Sequence, residues 1–160
     1  MRAHEIMTTP AVAVDRNQSL EQAVQTMLLL HVGCLPVTGA KGELVGIVTE
    51  FDFNEKDKGL PFSLYRHPQV FSRWIGRDTI DKMYGEGRAR QVKDIMTVHV
   101  ETLAHDDSLE VVLERMLQTG CHYMPVLSKD GKPTGVISRH DLLKVMIKET
   151  EAEMAPMGGW

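Results

Sequence analysis

Cysteine is scarce in this 160-residue chain: Cys34 and Cys121 stand far apart, each in an apolar stretch, with no CxxC spacing. That excludes a zinc knuckle or dithiol redox motif, so both read as buried thiols, with a regulatory disulfide as the alternative. Basic charge is also short. Eighteen Lys and Arg face 22 acidic residues, for a formal charge of −4. Broad nucleic-acid binding needs a basic surface and is disfavoured, although a local patch remains open. No run approaches the roughly 20 apolar residues of a membrane span, and the opening "MRAHEIMTTP" lacks the apolar core of a signal peptide, which points to the cytoplasm. Catalytic signatures are missing as well. Without a Walker A loop, a GxSxG elbow or a cysteine nucleophile with evident histidine support, the chain does not read as an enzyme. The histidines include no i, i+4 pair, and His99 and His105 share a loop-strand region without cysteine or acidic support, so no metal site is expected.

What the chain does have is a duplication. "GIVTEFD" at Gly46–Asp52 returns as "GVISRHD" at Gly135–Asp141, and 135 − 46 and 141 − 52 both give 89. The same offset maps Ile6-Met7-Thr8 onto Ile95-Met96-Thr97, Ser19-Leu20-Glu21 onto Ser108-Leu109-Glu110, and Pro36-Val37 onto Pro125-Val126, with no gap. One supersecondary unit therefore occurs twice, and the copies are expected to share apolar faces across a pseudo-two-fold axis.

Within each copy, Leu20, Ala23, Val24, Met27 and Leu28, and likewise Leu109, Val112, Leu113, Met116 and Leu117, follow the i, i+3, i+4, i+7, i+8 pattern of an amphipathic helix. Ser19 and Gln22 form a capping box, whereas Ser108 caps without one because Val111 occupies its third position. Two short apolar runs around a Gly-containing turn then predict a hairpin, with Gly42 and Gly131 at positive φ. A short strand before each helix and a closing helix, "RHDLLKVMIKE" in the second copy, complete a β-α-β-β-α unit of an α+β fold.

These residues resemble the cystathionine-β-synthase (CBS) domain, which occurs in tandem pairs called Bateman modules. The resemblance is carried by "EIMT" and "DIMT", by "CLPV" and "YMPV", and by "GIVTEFD" and "GVISRHD", in that order and duplicated. It implies two modules packed with pseudo-two-fold symmetry and clefts between them that hold an adenosine-containing ligand: AMP, ADP or ATP first, S-adenosylmethionine or NAD next. It also implies a homodimer. By resemblance, Asp52 and Asp141 would hold ribose hydroxyls, and Thr49 and Ser138 would contact phosphate. Adenine would lie against Thr8 and Pro10 with Pro36, and against Thr97 and His99 with Pro125.

The chemistry stands on its own terms. A carboxylate accepts two hydrogen bonds from a vicinal diol, and a hydroxyl among free N–H groups at a helix start suits an anion. Thr49-x-x-Asp52 and Ser138-x-x-Asp141 are equally helix-capping motifs. The copies differ between those ends: Arg139 and His140 stand in the second where Glu50 and Phe51 stand in the first, so the Asp141 cleft is expected to bind more tightly. His122 lies near enough to "YMPV" to be a candidate phosphate contact.

The organisation expected is motif 1 over 1–53, a helical insertion over 54–91, motif 2 over 92–149 and a flexible tail over 150–160. The insertion carries Phe62, Tyr65, Phe71, Trp74, Ile75, Met83 and Tyr84, enough to cover the module or form a partner surface, along with Arg66, Arg73, Arg77, Arg88 and Arg90. The chain begins at the first motif and ends soon after the second, so a regulated partner is expected on another chain. Two functional classes follow: a stand-alone regulatory module sensing an adenine nucleotide, and a non-catalytic interaction scaffold that dimerises without ligand. A nucleotide-processing enzyme is a weaker third, lacking clustered carboxylates near the motifs.

Overall fold

Ser19 starts the first long helix as its sequence requires: its hydroxyl accepts from the Gln22 N–H at 3.2 Å, and the Gln22 side chain returns the bond to the Ser19 N–H at 3.2 Å. The computed structural model in which this is seen describes residues 1–53 and 89–154, with side chains through 148. The aromatic and large apolar residues of the insertion, Phe62, Tyr65, Phe71, Trp74, Ile75, Met83 and Tyr84, and its Arg66, Arg73, Arg77 and Arg88, lie outside the described residues.

The elements in chain order are α1 (Ala3–Ile6), β1 (Val14–Asp15), α2 (Leu20–Leu30), β2 (Cys34–Thr38), β3 (Leu44–Thr49), a 3-10 turn (Glu50–Phe53), a second (Val92–Asp94), β4 (Leu103–Ala104), α3 (Leu109–Thr119), β5 (Tyr123–Leu127), β6 (Pro133–Ser138) and α4 (Arg139–Met154). They form two three-stranded sheets, β1-β2-β3 and β4-β5-β6, each with a parallel first pair and an antiparallel hairpin. The hairpins keep the same register, Pro36 opposite Ile47 and Pro125 opposite Val136, and bulge at the same place, between Val37 and Thr38 and between Val126 and Leu127. Gly42 and Gly131 turn them at φ 79° and 75°, as expected from sequence. The closing helix runs to Met154, past the residue at which the sequence places the start of a flexible tail.

The spatial units do not coincide with the sequence repeats. One comprises Met1–Val12 and the chain from Glu101 onward; the other comprises Ala13–Val100. Each lead-in segment thus packs on the strands of the other copy. In the first unit Thr8 exchanges backbone hydrogen bonds with Val136, at 2.9 and 3.1 Å, and in the second Thr97 does so with Ile47, at 2.9 and 3.0 Å. The core of the first unit is Ala3, Leu103, Val112, Met116, Met124, Val126 and Ile137. Subtracting or adding 89 gives Val92, Val14, Ala23, Met27, Leu35, Val37 and Val48, all buried in the second. Each large aliphatic side chain so buried contributes about 1.5–3 kcal/mol, which fixes the hairpins that hold the site motifs.

The exchange explains the glycine that opens each repeated motif. A Cβ on Gly46 would lie 2.6 Å from Met96 Sδ and 3.0 Å from the Thr97 carbonyl oxygen; on Gly135 it would press on Met7 Sδ and come within 2.9 Å of the Thr8 carbonyl oxygen. Only glycine lets the lead-in backbone lie this close to the strand.

Candidate functional site

Strand β6 ends at Ser138, where the chain turns directly into α4. The turn is closed by Asp141, whose Oδ2 accepts from the Ser138 N–H at 2.9 Å and from its hydroxyl at 2.7 Å. The Asp141 N–H donates back to Ser138 Oγ at 3.2 Å. In the other unit the Asp52 Oδ2 accepts from the Thr49 N–H at 2.7 Å and from its hydroxyl at 3.3 Å. Both aspartates are buried, at 6% and 7% exposure, and are the only buried charged side chains among the described residues. A buried carboxylate needs such donors, so the capping role foreseen in the sequence is realised.

Capping occupies one carboxylate oxygen of Asp141 and leaves the second to a different partner. Its Oδ1 meets Lys144 Nζ at 3.3 Å, one helical turn along α4, and the lysine side chain is 58% exposed. An acceptor oxygen beside a solvent-reaching ammonium is an arrangement that takes a sugar hydroxyl and an adjacent phosphate. Sequence reading missed Lys144; its signal was the i, i+3 spacing from Asp141 and the acidic Glu55 at the matching position of the first copy.

Arg139 departs from expectation. Its guanidinium is turned to the end of α3, where Nη2 donates to the Gly120 carbonyl at 2.8 Å and Nε to the Cys121 carbonyl at 3.2 Å. It satisfies helix-end carbonyls and complements the helix dipole rather than offering a fork to phosphate, so Lys144 is the cation beside Asp141. The phosphate role expected of Ser138 meets a similar constraint, because its hydroxyl already donates to Asp141 and accepts from that residue's N–H.

The pairing of the remaining candidates is also corrected. Thr8 and Pro10 do not share a unit with Pro36; they lie with Pro125, Ser138 and Asp141, and Thr97 and His99 lie with Pro36, Thr49 and Asp52. The reason is the exchange of lead-in segments. In the first unit the Thr9 hydroxyl and the Ala11 N–H both bond the Thr134 carbonyl, at 3.0 Å each, which holds exposed Thr8 and Pro10 along β6. Pro36 and Pro125 are buried in the middle of their strands, where β1 and β4 pair only with the two residues that follow each proline. The missing proline N–H therefore interrupts no ladder bond. His122, His140, His99 and Thr97 are exposed, and the His122 carbonyl accepts the Arg139 N–H at 3.1 Å.

Cys34 starts β2 opposite Thr49 and is buried, while Cys121 is half-buried rather than buried as expected; both are free thiols. Burial, reinforced by the Asp52 carboxylate, pushes the Cys34 thiol well above its ordinary range.

The chain matches the CBS domain family over residues 3–58 and 92–148. The solved CBS domain of a CBS domain containing membrane protein from Sphaerobacter thermophilus is 35% identical, with a TM-score of 0.73 over 90% of this chain and 86% of that one. CBSX2 of Arabidopsis thaliana, a chloroplastic CBS domain-containing protein, is 25% identical over 150 residues, or 86% of this chain. A crystal structure of CBSX2 in complex with AMP gives a TM-score of 0.68 at 20% identity, covering 93% of this chain and 98% of that one. The CBS domain pair of protein MJ0100, in complex with 5′-methylthioadenosine and S-adenosyl-L-methionine, is 19% identical with a TM-score of 0.68, covering 93% and 98%. The chain spans 58% and 60% of the length of the two chloroplastic relatives it matches. No helix among the described residues is long and apolar enough to cross a membrane.

Proposed function

The chain belongs to the CBS-domain family, with two copies of the domain, and from that premise we propose that it is a non-catalytic regulatory module that binds an adenosine-containing ligand and signals to a partner or to its own dimer interface. The observation that carries this reading is the buried Asp141 at the strand-to-helix turn, with its second carboxylate oxygen beside exposed Lys144. The complexes of CBSX2 with AMP and of MJ0100 with 5′-methylthioadenosine and S-adenosyl-L-methionine support the ligand class.

In this reading Asp141 Oδ1 accepts a ribose hydroxyl, Lys144 swings to the phosphate or another anionic group, and Thr8 and Pro10 border the base. Asp52 with Thr49, and Thr97 with His99, form the equivalent set in the other unit. The Asp141 set binds more tightly, because Lys144 beside Asp141 favours an anion, whereas the first motif carries Glu50 between Thr49 and Asp52. An AMP-class nucleotide suits this charge better than a neutral nucleoside.

A second reading, the dimerising scaffold, is favoured by apolar residues left outside. Leu28, Leu29 and Leu30 on α2, Leu117 on α3, and Leu143, Met146 and Ile147 on α4 are each more than half exposed. Calorimetric titration of nucleotide-stripped protein with AMP, ADP, ATP, NAD and S-adenosylmethionine separates the two. Saturable binding that Asp141→Ala abolishes and Lys144→Ala weakens about tenfold for the phosphorylated ligands supports the sensor. No heat with any of them, in a protein of undiminished stability, leaves the scaffold.

A further inference from the structure

The lead-in segment of the first unit is fastened to the loop before α3 by two backbone bonds and one side-chain bond. The Ala3 N–H donates to the Asp107 carbonyl at 2.8 Å, the His4 N–H to the His105 carbonyl at 3.2 Å, and Arg2 Nη1 to the Asp106 carbonyl at 2.7 Å. The loop itself is closed by Asp107, whose carboxylate accepts from the Ala104 N–H at 2.8 Å. These bonds bring together side chains 101 positions apart in sequence. The His4 and His105 rings stack, with centroids 4.5 Å apart and planes 6° from parallel, and each Nδ1 lies 3.8 Å from Asp106 Oδ1.

The duplication supplies an internal comparison. At an offset of 89, His4 corresponds to Lys93, His105 to Arg16 and Asp106 to Asn17. The backbone contact is retained there, with the Lys93 N–H donating to the Arg16 carbonyl at 2.9 Å, and Lys93 Nζ donates to Asn17 Oδ1 at 3.3 Å. The fold therefore builds this junction with no imidazole or carboxylate at these three positions. Two histidines and an aspartate at the first junction are not required by packing.

We propose that His4, His105 and Asp106 bind a borderline divalent transition-metal ion of the Zn²⁺ class, each residue giving one ligand atom and water completing the shell. Two ligand atoms on one such ion are about 3.4 Å apart at the tetrahedral angle and at most about 4.2 Å when opposed, so each 3.8 Å imidazole-to-carboxylate spacing already suits it. All three donor atoms lie within 4.8 Å of one another, and rotation of the exposed His105 and half-exposed His4 rings closes the rest. His4 Nδ1 now bonds the His105 carbonyl at 3.0 Å, a contact that coordination through that nitrogen replaces. The donor set of two imidazoles and a carboxylate selects Zn²⁺, Co²⁺ or Ni²⁺ over Mg²⁺. The acidic support that His105 lacks in the sequence reading is Asp106, and its imidazole partner comes from the other end of the chain. Bound metal would tie the segment that leads to Thr8 and Pro10 onto its own unit, stiffening the proposed ligand site.

The test is titration of the chelator-treated full chain with Zn²⁺ by calorimetry at pH 7.5, with Co²⁺ absorption and thermal midpoints as second readouts. The variants His4→Lys, His105→Arg and Asp106→Asn import the residues of the other junction and so preserve its backbone. One ion per chain, a raised midpoint with Zn²⁺ but not Mg²⁺, and loss of both effects in each histidine variant and in the triple variant are expected. A wild-type chain that takes up no Zn²⁺, or a folded triple variant that binds it with unchanged stoichiometry and affinity, overturns the proposal. Asp106→Asn alone, a conservative surface change, keeps the test valid if the triple variant does not fold.

Discussion

His31 ends α2 in the left-handed region at φ 52°, ψ 43°, whereas the matching residue after α3 is Gly120 at φ 69°. A Cβ there costs roughly 1–2 kcal/mol, partly offset by the extra chain entropy of glycine in the unfolded state. His31→Gly should therefore stabilise the protein by about 0.5–1 kcal/mol, read as a rise of about 1–4 °C in the thermal midpoint. Cys34 gives a pH-dependent expectation at the same scale. Its folded thiol stays protonated above the ordinary value of 9.0, so above pH 9 the unfolded chain loses a proton that the folded chain keeps. Stability then falls as pH rises through that value, and Cys34 contributes almost no slope below about pH 8. Urea unfolding at pH 8 and pH 10 should show the wild type losing about 1 kcal/mol more than Cys34→Ala over that interval. Equal losses would mean that the thiol ionises in the folded state as readily as in the unfolded one.

Between elements, the exchange of lead-in segments leaves a signature in side-chain size. Ala3 packs in one core cluster with Val112, while the second unit buries Val92 and Ala23 at the matching positions. Each unit buries one small and one larger residue at these two positions only because each lead-in segment joins the other copy; within a single repeat the two alanines, or the two valines, would have been combined. Volume-conserving exchanges are the ones cores tolerate. Ala3→Val and Val112→Ala should each destabilise by about 1–3 kcal/mol, and the double variant should recover at least about 1 kcal/mol of their sum. Additive losses in a double-mutant cycle would separate the two residues energetically. The glycines Gly46 and Gly135 belong to the same junction, since the Met96 and Met7 side chains occupy the space a Cβ would need.

For the whole molecule, each unit leaves apolar helix residues exposed. Leu29 and Leu117 are 78% and 82% exposed, more than a soluble helix needs for any role inside its own unit. If these faces meet a second copy, light scattering at micromolar concentration should give a dimer mass that Leu29→Glu and Leu117→Glu reduce to the monomer, with little change in the helical circular dichroism. A wild-type chain that is monomeric at every concentration leaves the faces to a different protein. Dimerisation and ligand binding are separable in this scheme, because Asp52 and Asp141 stand in turns built within single units.

Sequence alone shows the duplication through its ungapped offset of 89, and it also sets the helix starts at Ser19 and Ser108, the hairpin turns at Gly42 and Gly131 and the capping aspartates, because these latter features depend on residues only a few positions apart. Hydrophobic period, cap chemistry and turn chemistry are local and leave a local trace. Tertiary structure decided the rest: which strand each lead-in segment joins, the diversion of Arg139 to the carbonyls ending α3, and the meeting of His4 with His105 and Asp106. Those contacts join residues from 18 positions apart, for Arg139, to 101 and more, for the lead-in segment of the first unit. A repeat read along the sequence gives no reason why a segment should pack on the other copy rather than on its own.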